Sequence, residues 1–213
     1  MQAPSKRPSR HTRSEPARPP ATRAAGQVRI IGGQWKRSKL AVADKPGLRP
    51  TPDRVRETVF NWLGQDLSGW SCLDAFAGTG ALGFEAASRG ATAVRLVECD
   101  PGLVTNLKEV QAKLGATAVQ VLRSDGIAAL RQCPAASLDL VFLDPPFDSA
   151  LFDPALAAAA RVVRAQGFIY LEAPKAWDDA ALAPFGLQCY RQLRAGTVHA
   201  HLLRPVPEPA RTA

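Results

Sequence analysis

The stretch VFLDPPFD combines an acidic side chain, two prolines and an aromatic ring directly after an apolar run. Proline cannot donate to a sheet ladder, so Pro145 and Pro146 are expected to lie just beyond the end of a buried strand. Their fixed φ angles would hold the Asp144 carboxylate and the Pro145 carbonyl as a rigid pair of acceptors beside the ring of Phe147. Two fixed acceptors next to a flat ring are suited to binding an amino group on a planar base or amide.

A second stretch, LDAFAGTGALGFEA, ends a predicted strand, turns on glycine and opens a predicted helix. Gly78, Gly80 and Gly83 satisfy the G-x-G-x-x-G pattern, and Glu98 lies 20 residues beyond Gly78, at the end of the next predicted strand. This is the fingerprint of a dinucleotide site. However, Asp74, four residues before Gly78, would repel a pyrophosphate and attract an ammonium group. S-Adenosylmethionine (AdoMet) carries an ammonium, a sulfonium and a ribose but no phosphate, so the loop favours AdoMet over a dinucleotide.

In an AdoMet site, Gly78 and Gly80 would let the backbone approach the cofactor without a Cβ clash. Glu98 would accept hydrogen bonds from the ribose hydroxyls. Asp125, at the end of the third predicted strand, would accept one from the adenine amino group. In the alternative interpretation, Asp74 and Asp125 merely cap the helices that follow them.

Together the two motifs predict methyl transfer to an amino nitrogen. Ligands of open α/β sheets bind beyond the carboxyl ends of the strands, so Asp144 is expected in the same crevice as Asp74. Two acceptors on the N–H bonds of an amino group would favour a pyramidal nitrogen with its lone pair aimed at the sulfonium methyl. Phe147 would stack on a flipped or looped-out base, and Asp144 would stabilise the nitrogen as it becomes cationic. The alternative is a proline-rich turn whose aspartate is only a cap.

Alternating strand and helix patterns position these residues. Strands are predicted near 70–74, 93–98, 119–123, 138–143 and 167–172, with helices near 80–89, 101–114, 126–132 and 151–165. Repeated βα units predict an α/β protein with a Rossmann-like, mostly parallel sheet and helices on both faces. The stretch GLQCYRQLRAGTVHAHLLRP predicts two more strands joined at Ala195-Gly196, which would add an antiparallel edge strand. This core is assigned to residues 66–205, and residues 206–213 to a short flexible C-terminus.

The front of the chain divides into a tail and a small structured segment. Residues 1–26 hold five prolines and six basic residues, and we predict a disordered basic tail. Residues 27–65 are predicted to form a hairpin and a helix that Thr51 caps, with Pro52 at its first position. The helix has an apolar face of Val55, Val59, Trp62 and Leu63, and Arg54 and Arg56 are expected off that face. Gly64 is expected to end it.

Positive charge is concentrated at the front. The chain has 27 basic and 19 acidic residues, and residues 1–56 carry a net charge of +11 against −3 for the remainder. This asymmetry predicts a polyanionic partner engaged from one side. The residues expected to contact phosphates are Arg29, Lys36, Arg37, Lys39, Arg54 and Arg56. A solvated tail that only aids solubility is the alternative.

Other site classes have little support. The four cysteines are scattered without a Cys-x-x-Cys pair, and the three histidines form no ligand cluster with them. We therefore expect reduced thiols, no metal and a cytoplasmic protein. No apolar run approaches the roughly 18–20 residues of a membrane span.

The motifs LDAFAGTGALGFEAASRGA, VECD, SDG and LDPPF resemble those of class I AdoMet-dependent amino-methyltransferases. The front segments RIIGGQWKRSKL and GLRPTPDRVRETVFNWL narrow the resemblance to the RsmD family, bacterial 16S rRNA guanine-N2 methyltransferases, over roughly residues 27–205. The resemblance implies a seven-stranded Rossmann-like domain preceded by a small hairpin and helix, AdoMet as cofactor, and an assembled or assembling 30S particle as partner. By the same resemblance the catalytic residues are Asp144, Pro145, Pro146 and Phe147, the cofactor-site residues are Asp74, Phe76, Gly78, Gly80, Glu98 and Asp125, and Arg49, Pro50 and Thr51 lie near the site, with Arg49 and Thr51 contacting RNA.

We therefore expect a monomeric enzyme that methylates the N2 amino group of a guanine in 16S rRNA during ribosome assembly. The alternatives are a DNA adenine-N6 methyltransferase, a protein glutamine-N5 methyltransferase, a dinucleotide-binding oxidoreductase and a non-catalytic RNA-binding module. The chain has no room for a separate target-recognition domain, which counts against the DNA enzyme. The aspartate of the tetrapeptide and the basic front count against the protein methyltransferase.

Overall fold

The computed structural model describes residues 26–42, 51–147 and 149–207. Its strands are β1 Gln27–Arg29, β2 Lys39–Ala41, β3 Ser71–Asp74, β4 Ala93–Glu98, β5 Val119–Arg123, β6 Leu138–Leu143, β7 Val163–Ala173, β8 Leu187–Ala195 and β9 Val198–Pro205. Its α-helices are α1 Asp53–Trp62, α2 Ala81–Ser88, α3 Pro101–Leu114, α4 Gly126–Gln132, α5 Phe152–Val162 and α6 Asp179–Leu182. The predicted tail, apart from Gly26, lies outside the described residues, as do Arg49, Pro50 and residues 208–213.

Seven strands form one sheet in the order β5-β4-β3-β6-β7-β9-β8. The pairs from β5 to β7 are parallel, and β9 runs antiparallel between β7 and β8. Buried residues of α1, α2 and α3 pack on one face of the sheet and those of α4, α5 and α6 on the other. The Rossmann-like sheet, its seven strands and its antiparallel hairpin are thus confirmed. No helix among the described residues is long and apolar enough to cross a membrane.

The topological switch point of the sheet lies at β3. This strand pairs with β4 on one side and with β6 on the other, so the strands that follow it in sequence are first added on one side of β3 and then on the other. A crevice forms outside the carboxyl ends of the strands at such a point, and ligands of open α/β sheets bind there.

The boundary between α5 and β7 differs from the prediction. The helix predicted over 151–165 ends at Val162, and the strand begins at Val163 instead of residue 167. Val163 pairs with Leu138 before a register shift, which draws the chain into the sheet earlier than its helical pattern indicates. Tertiary pairing overrides local propensity here.

The start of α1 also differs. Pro52 is the N-cap residue, with no side-chain capping bond, and Asp53 is the first helical residue. Thr51 does not cap the helix, because its hydroxyl is bonded to Glu172 of β7 instead. The predicted end is confirmed, since the helix stops at Trp62 and Gly64 has a φ of +91°.

The front hairpin of β1 and β2 is bonded to α2 through Ser88, whose backbone oxygen and hydroxyl contact the hairpin loop, and through the buried carboxylate of Glu85. Glu85 accepts hydrogen bonds from the backbone N–H groups of Ile31 and Gly32 at 2.7 and 2.8 Å. It also forms ion pairs with Arg56 at 3.2 Å and Arg89 at 2.9 Å. A buried charge persists only when it is paired and hydrogen-bonded, and Glu85 meets both conditions.

This network corrects the prediction for Arg56. Its side chain is fully buried, with guanidinium contacts to Asp53, Glu85 and the backbone oxygens of Arg29 and Thr51. It is therefore not available for a phosphate contact. An arginine that is not on the apolar face of a helix is expected to be exposed to solvent. In the folded protein, however, Arg56 is covered by its neighbours in β1 and α2.

Candidate active site

Four carboxylates lie at or just beyond the carboxyl ends of neighbouring parallel strands. Asp74 ends β3, Glu98 ends β4, Asp144 follows β6 and Glu172 is near the end of β7. The register places Leu143 opposite Leu171, so Asp144 and Glu172 are cross-strand neighbours. The strand ends thus collect negative charge at the switch point, as the sequence predicts for Asp74, Glu98 and Asp144.

Asp74 is buried, and half of its carboxylate is unpaired. Oδ2 accepts from the N–H of Gly83 in the first turn of α2 at 3.2 Å, whereas Oδ1 has no hydrogen-bond partner within the described part of the chain. The pKa of Asp74 is raised to about 7: burial is the largest cause, the backbone N–H groups of Gly83 and Phe76 lower the pKa, and the charges of Glu98 and Glu172 raise it. The capping alternative therefore accounts for one oxygen only. A buried oxygen without a donor is suited to a cationic ligand.

The glycine turn follows directly. Gly78 has a φ of +51° and Gly80 a φ of +76°, conformations that favour glycine. A Cβ on Gly80 would also lie 2.6 Å from Cδ2 of Leu107. Glu98 supports the turn, since its Oε2 accepts from the Gly78 N–H at 2.9 Å and its Oε1 from the Asp100 N–H at 2.9 Å. The Glu98 side chain is half-exposed beside the glycine turn. Its oxygens can accept further hydrogen bonds, for example from the hydroxyls of a ligand.

Asp125 shows the capping contact that the alternative interpretation proposes. Its Oδ1 accepts from the Ala128 N–H at 2.8 Å at the start of α4, and its side chain is exposed. The next residue, Gly126, lies against the chain just after β3, because a Cβ there would be 2.1 Å from the carbonyl oxygen of Ala75. The cap therefore holds the end of β5 beside the glycine turn, and Asp125 stands at the rim of the crevice.

The Asp-Pro-Pro-Phe segment leaves β6 at the same end. Asp144 is half-buried, Pro145 buried, Pro146 exposed and Phe147 half-buried. The Pro146 carbonyl accepts from the Ser149 backbone N–H and hydroxyl, so a turn does follow. However, α5 has Leu151 as its N-cap residue and no side-chain cap, so Asp144 is not the cap of that helix.

The surroundings of Asp144 favour its neutral form. Burial raises its pKa well above the usual range, and the negative charges of Glu172 and Asp74 add to the effect. Like charges in one low-dielectric crevice oppose each other's ionisation, and an approaching cation relieves that opposition. The cluster is therefore built to attract and stabilise positive charge.

Glu172, near the end of β7, is a further acidic residue of the crevice, and no role was assigned to it from the sequence. It is buried, and its Oε1 accepts hydrogen bonds from the Thr51 hydroxyl at 2.5 Å and the Tyr170 hydroxyl at 2.9 Å. Burial raises the pKa of Glu172, whereas these bonds and the charge of Arg56 lower it. Its position at the end of a strand was the only signal in the sequence, because both hydroxyl partners are recognisable only in the folded protein.

The basic residues predicted to contact RNA are divided by the fold. Five are exposed: Arg29, Lys36, Arg37, Lys39 and Arg54. Arg29 also lies 3.6 Å from Asp53. Arg56 and Thr51 are buried, which contradicts an RNA contact by either side chain. Glu85 and Arg89, which hold this front segment together, were not identified from the sequence.

The carboxylate oxygens of the crevice are hydrogen-bond acceptors, and their positions indicate which cofactor fits. AdoMet would offer an ammonium to Asp74 Oδ1, which has no hydrogen-bond partner among the described residues, and hydroxyls to Glu98, and the glycine turn has no Cβ to block its contacts with the backbone. A pyrophosphate would bring more negative charge into a crevice whose carboxyl groups already oppose each other's ionisation, so a dinucleotide is disfavoured. Within the described residues, no group of three His, Cys, Asp or Glu side chains is arranged to hold a metal ion.

Comparisons with known proteins identify relatives of this chain. A family model, Conserved hypothetical protein 95, matches residues 28–204. Ribosomal RNA small subunit methyltransferase D of Escherichia coli is 48% identical over 129 residues, which are 61% of this chain and slightly under two thirds (65%) of that protein. The protein of the same name from Haemophilus influenzae is 37% identical over 180 residues, which are 82% of this chain and 92% of that protein. The solved structure of yhhF from Escherichia coli has a TM-score of 0.72 and 34% identity, covering 85% of this chain and 100% of that one.

Proposed function

This chain belongs to the RsmD family, and we propose that it transfers the methyl group of AdoMet to the exocyclic N2 amino group of a guanine in 16S rRNA. The observation that carries the proposal is that two carboxylates, those of Asp74 and Asp144, lie at the ends of neighbouring strands at the switch point of the sheet. Asp74 lies under the glycine turn with one oxygen unpaired, and Asp144 lies at the end of the neighbouring strand. Relatives named as small-subunit rRNA methyltransferases support the choice of substrate.

In this proposal the cofactor is held by the glycine turn and the acids around it. When bound, AdoMet supplies an electrophilic methyl group on its sulfonium. Asp74 Oδ1 binds the ammonium, and Glu98 accepts from the ribose hydroxyls while keeping its bond to the Gly78 N–H. Asp125 accepts from the adenine amino group with the oxygen that does not cap α4. Phe76, half-buried after β3, packs beside the cofactor.

The Asp-Pro-Pro-Phe segment binds the methyl acceptor. Asp144 and the Pro145 carbonyl accept the two N–H bonds of the guanine amino group, and Phe147 stacks on the base. The nitrogen lone pair forms the new N–C bond, and the electrons of the broken C–S bond stay on sulfur. The nitrogen is cationic until it loses a proton, and Asp144 and Glu172 stabilise that charge in the crevice. Positioning and electrostatics therefore account for the rate without a strong base.

The exposed basic residues of the front segment bind the phosphates around the target. Lys36, Arg37 and Lys39 stand on the hairpin and Arg54 on α1, whose start is bonded to Glu172 through Thr51. Contacts of this kind position the substrate and do not read its sequence. The shape of the RNA or of the particle then selects the guanine.

The test is methyl transfer from labelled AdoMet to four substrates: 30S particles, naked 16S rRNA, double-stranded DNA and a glutamine-containing release factor. We expect label in the rRNA substrates only, and mass spectrometry of digested rRNA should find a single N2-methylguanine. Equal labelling of DNA and 30S particles, or label on any other base position, would overturn the assignment. The Asp144→Asn variant provides the background rate.

A further inference from the structure

The C-terminal hairpin of β8 and β9 is a second basic element, separate from the front of the chain. Residues 187–207 contain Arg191, Arg194 and Arg204 and no aspartate or glutamate, although the chain beyond residue 56 is acidic overall. The hairpin forms the outer edge of the sheet, because β8 is its last strand. Its charge therefore faces solvent at the end of the sheet opposite β5.

Two of these arginines are held on one aromatic ring. Cζ of Arg191 lies 4.8 Å from the centroid of the Tyr190 ring and Cζ of Arg204 lies 4.7 Å from it. Both arginines are exposed, and neither forms an ion pair with an acidic side chain of the described residues. Asp179 lies in the adjoining groove with Arg191, but its Oδ1 accepts from the Cys189 backbone N–H.

Uncompensated like charges at this distance indicate an external anion. The two guanidinium groups lie within about 10 Å of each other, roughly one Debye length at 0.1 M salt, so they repel. Contact with the aromatic face holds the two cations in place but supplies no negative charge to neutralise them. A polyanion would neutralise both charges at once.

The ring itself is fixed by further aromatic packing. Tyr190 lies 5.8 Å from Phe168 of β7, and Phe168 stacks on Trp70 at 6.2 Å with 15° between the rings. A guanidinium resting on a fixed ring loses less side-chain freedom when it binds, so more of the contact energy appears as affinity. The N–H groups at the edges of the guanidinium planes are the donors that phosphate oxygens accept.

We propose that Tyr190, Arg191 and Arg204, here called the arginine–tyrosine surface, contact backbone phosphates of the RNA substrate. This inference rests on the proposed function and adds a second contact region to it. Phe168, beside the surface, is four residues before Glu172 on β7, which corresponds to about 13 Å along the strand. The RNA would therefore be held at the crevice and at the sheet edge together, and two separated contacts would set its orientation.

The test compares two double variants with equal loss of charge. Arg191→Ala with Arg204→Ala removes the surface. Lys108→Ala with Lys113→Ala removes two exposed cations from α3, between β4 and β5 at the far side of the sheet. Affinity for naked 16S rRNA is measured between about 50 and 200 mM KCl, the range over which phosphate contacts change binding steeply. The KM for 30S particles, kcat and the AdoMet affinity are measured alongside, and thermal unfolding verifies the fold.

For the arginine variant we expect the slope of log Kd against log salt to fall by about two, one for each lost phosphate contact. The KM for 30S particles should rise several-fold, with kcat and AdoMet affinity unchanged. Tyr190→Leu, which keeps both charges, should weaken RNA binding without changing the slope. An unchanged slope in the arginine variant, or an equal fall in the lysine variant, would overturn the inference. The absence of any RNA methylation by the wild-type protein would instead overturn the proposed function, and the binding slopes would still decide this inference.

Discussion

The hydroxyl of Thr51 donates a hydrogen bond of 2.5 Å to Oε1 of Glu172, joining residues 121 positions apart in the chain. Both side chains are buried, and the same oxygen accepts from the Tyr170 hydroxyl. The bond attaches the residue before the N-cap of α1 to the wall of the crevice. The basic front segment and the candidate active site are therefore parts of one structure, and a change at Thr51 should affect both.

Removal of the bond between Thr51 and Glu172 should destabilise the protein. Thr51→Val keeps the shape of the side chain but leaves the buried Glu172 without one donor, so the free energy of unfolding should fall by about 1.5–3 kcal/mol. Chemical denaturation measures it. Thr51→Ser, which restores the hydroxyl, should recover most of the loss. Equal stability of the valine and serine variants would show that the bond contributes nothing.

The charge of Glu172 should set the pH dependence of turnover. Its negative charge is one of the causes that raise the pKa of Asp144. Glu172→Gln keeps an acceptor oxygen for the two hydroxyls but removes the charge, so the pKa of Asp144 should fall. The acid limb of the kcat profile, where Asp144 gains its proton, should then move to lower pH, and kcat at its plateau should also decrease. If the acid limb of Glu172→Gln lay at the same pH as that of the wild type, the effect of the Glu172 charge on the pKa of Asp144 would be contradicted.

Asp144 should matter for turnover and not for cofactor binding. Asp144→Asn should lower kcat by about 10²–10³-fold, as for the loss of one preorganised electrostatic group, with AdoMet affinity within a few-fold of wild type. Isothermal titration measures the affinity. The matched control is Asp139→Asn at the other end of β6, where the carboxylate pairs with Arg164 and accepts from the Ser71 N–H. That variant should keep its kcat, and a tenfold or greater loss of AdoMet affinity in Asp144→Asn would contradict the assigned role.

Asp74 should make the ligand-free protein less stable as the pH rises. Its pKa is about 7 in the folded protein against an ordinary value of 3.8, so the folded state binds more protons between these values. Its stabilising contribution is therefore complete below pH 3.8 and is lost as the pH rises towards 7. Asp74→Asn should flatten this decline in urea denaturation at pH 5 and pH 7.5, and should weaken AdoMet binding. If the free energy of unfolding changed with pH in the same way in the wild type and in Asp74→Asn, the raised pKa of Asp74 would be contradicted.

Arg56 and Arg54 lie on the same helix, but Arg56 is buried in an ion-pair network whereas Arg54 is exposed. Arg56→Ala leaves the buried Glu85 with one of its two guanidinium partners, so the free energy of unfolding should drop by about 3–5 kcal/mol. Arg54→Ala, at an exposed position, should change stability by less than about 0.5 kcal/mol. Denaturant titrations compare them. Similar stability losses in the two variants would mean that the Glu85 network is not what holds the hairpin on α2.

Local patterns in the sequence were sufficient for the order of the elements and for part of the site. The bounds of α3 and α4 and those of β4, β5 and β6 agree with the predictions, because apolar periodicity and flanking glycines and prolines act over a few residues. The convergence of Asp74, Glu98 and Asp144 was also predictable. It follows from the rule that parallel strands present their carboxyl ends at one edge of the sheet.

Long-range partners decided the rest. The sequence presents Arg56 as an arginine off an apolar face, and only the packing of the hairpin on α2 gives it Glu85. Thr51 resembles a helix cap, and only the position of β7 gives it Glu172. In the same way, the Tyr190 ring that contacts Arg191 and Arg204 is held by Phe168 of another strand. A side chain's burial and charge state depend on what lies against it, and for these residues that neighbour comes from a distant part of the chain and is fixed only when the sheet and its helices have packed.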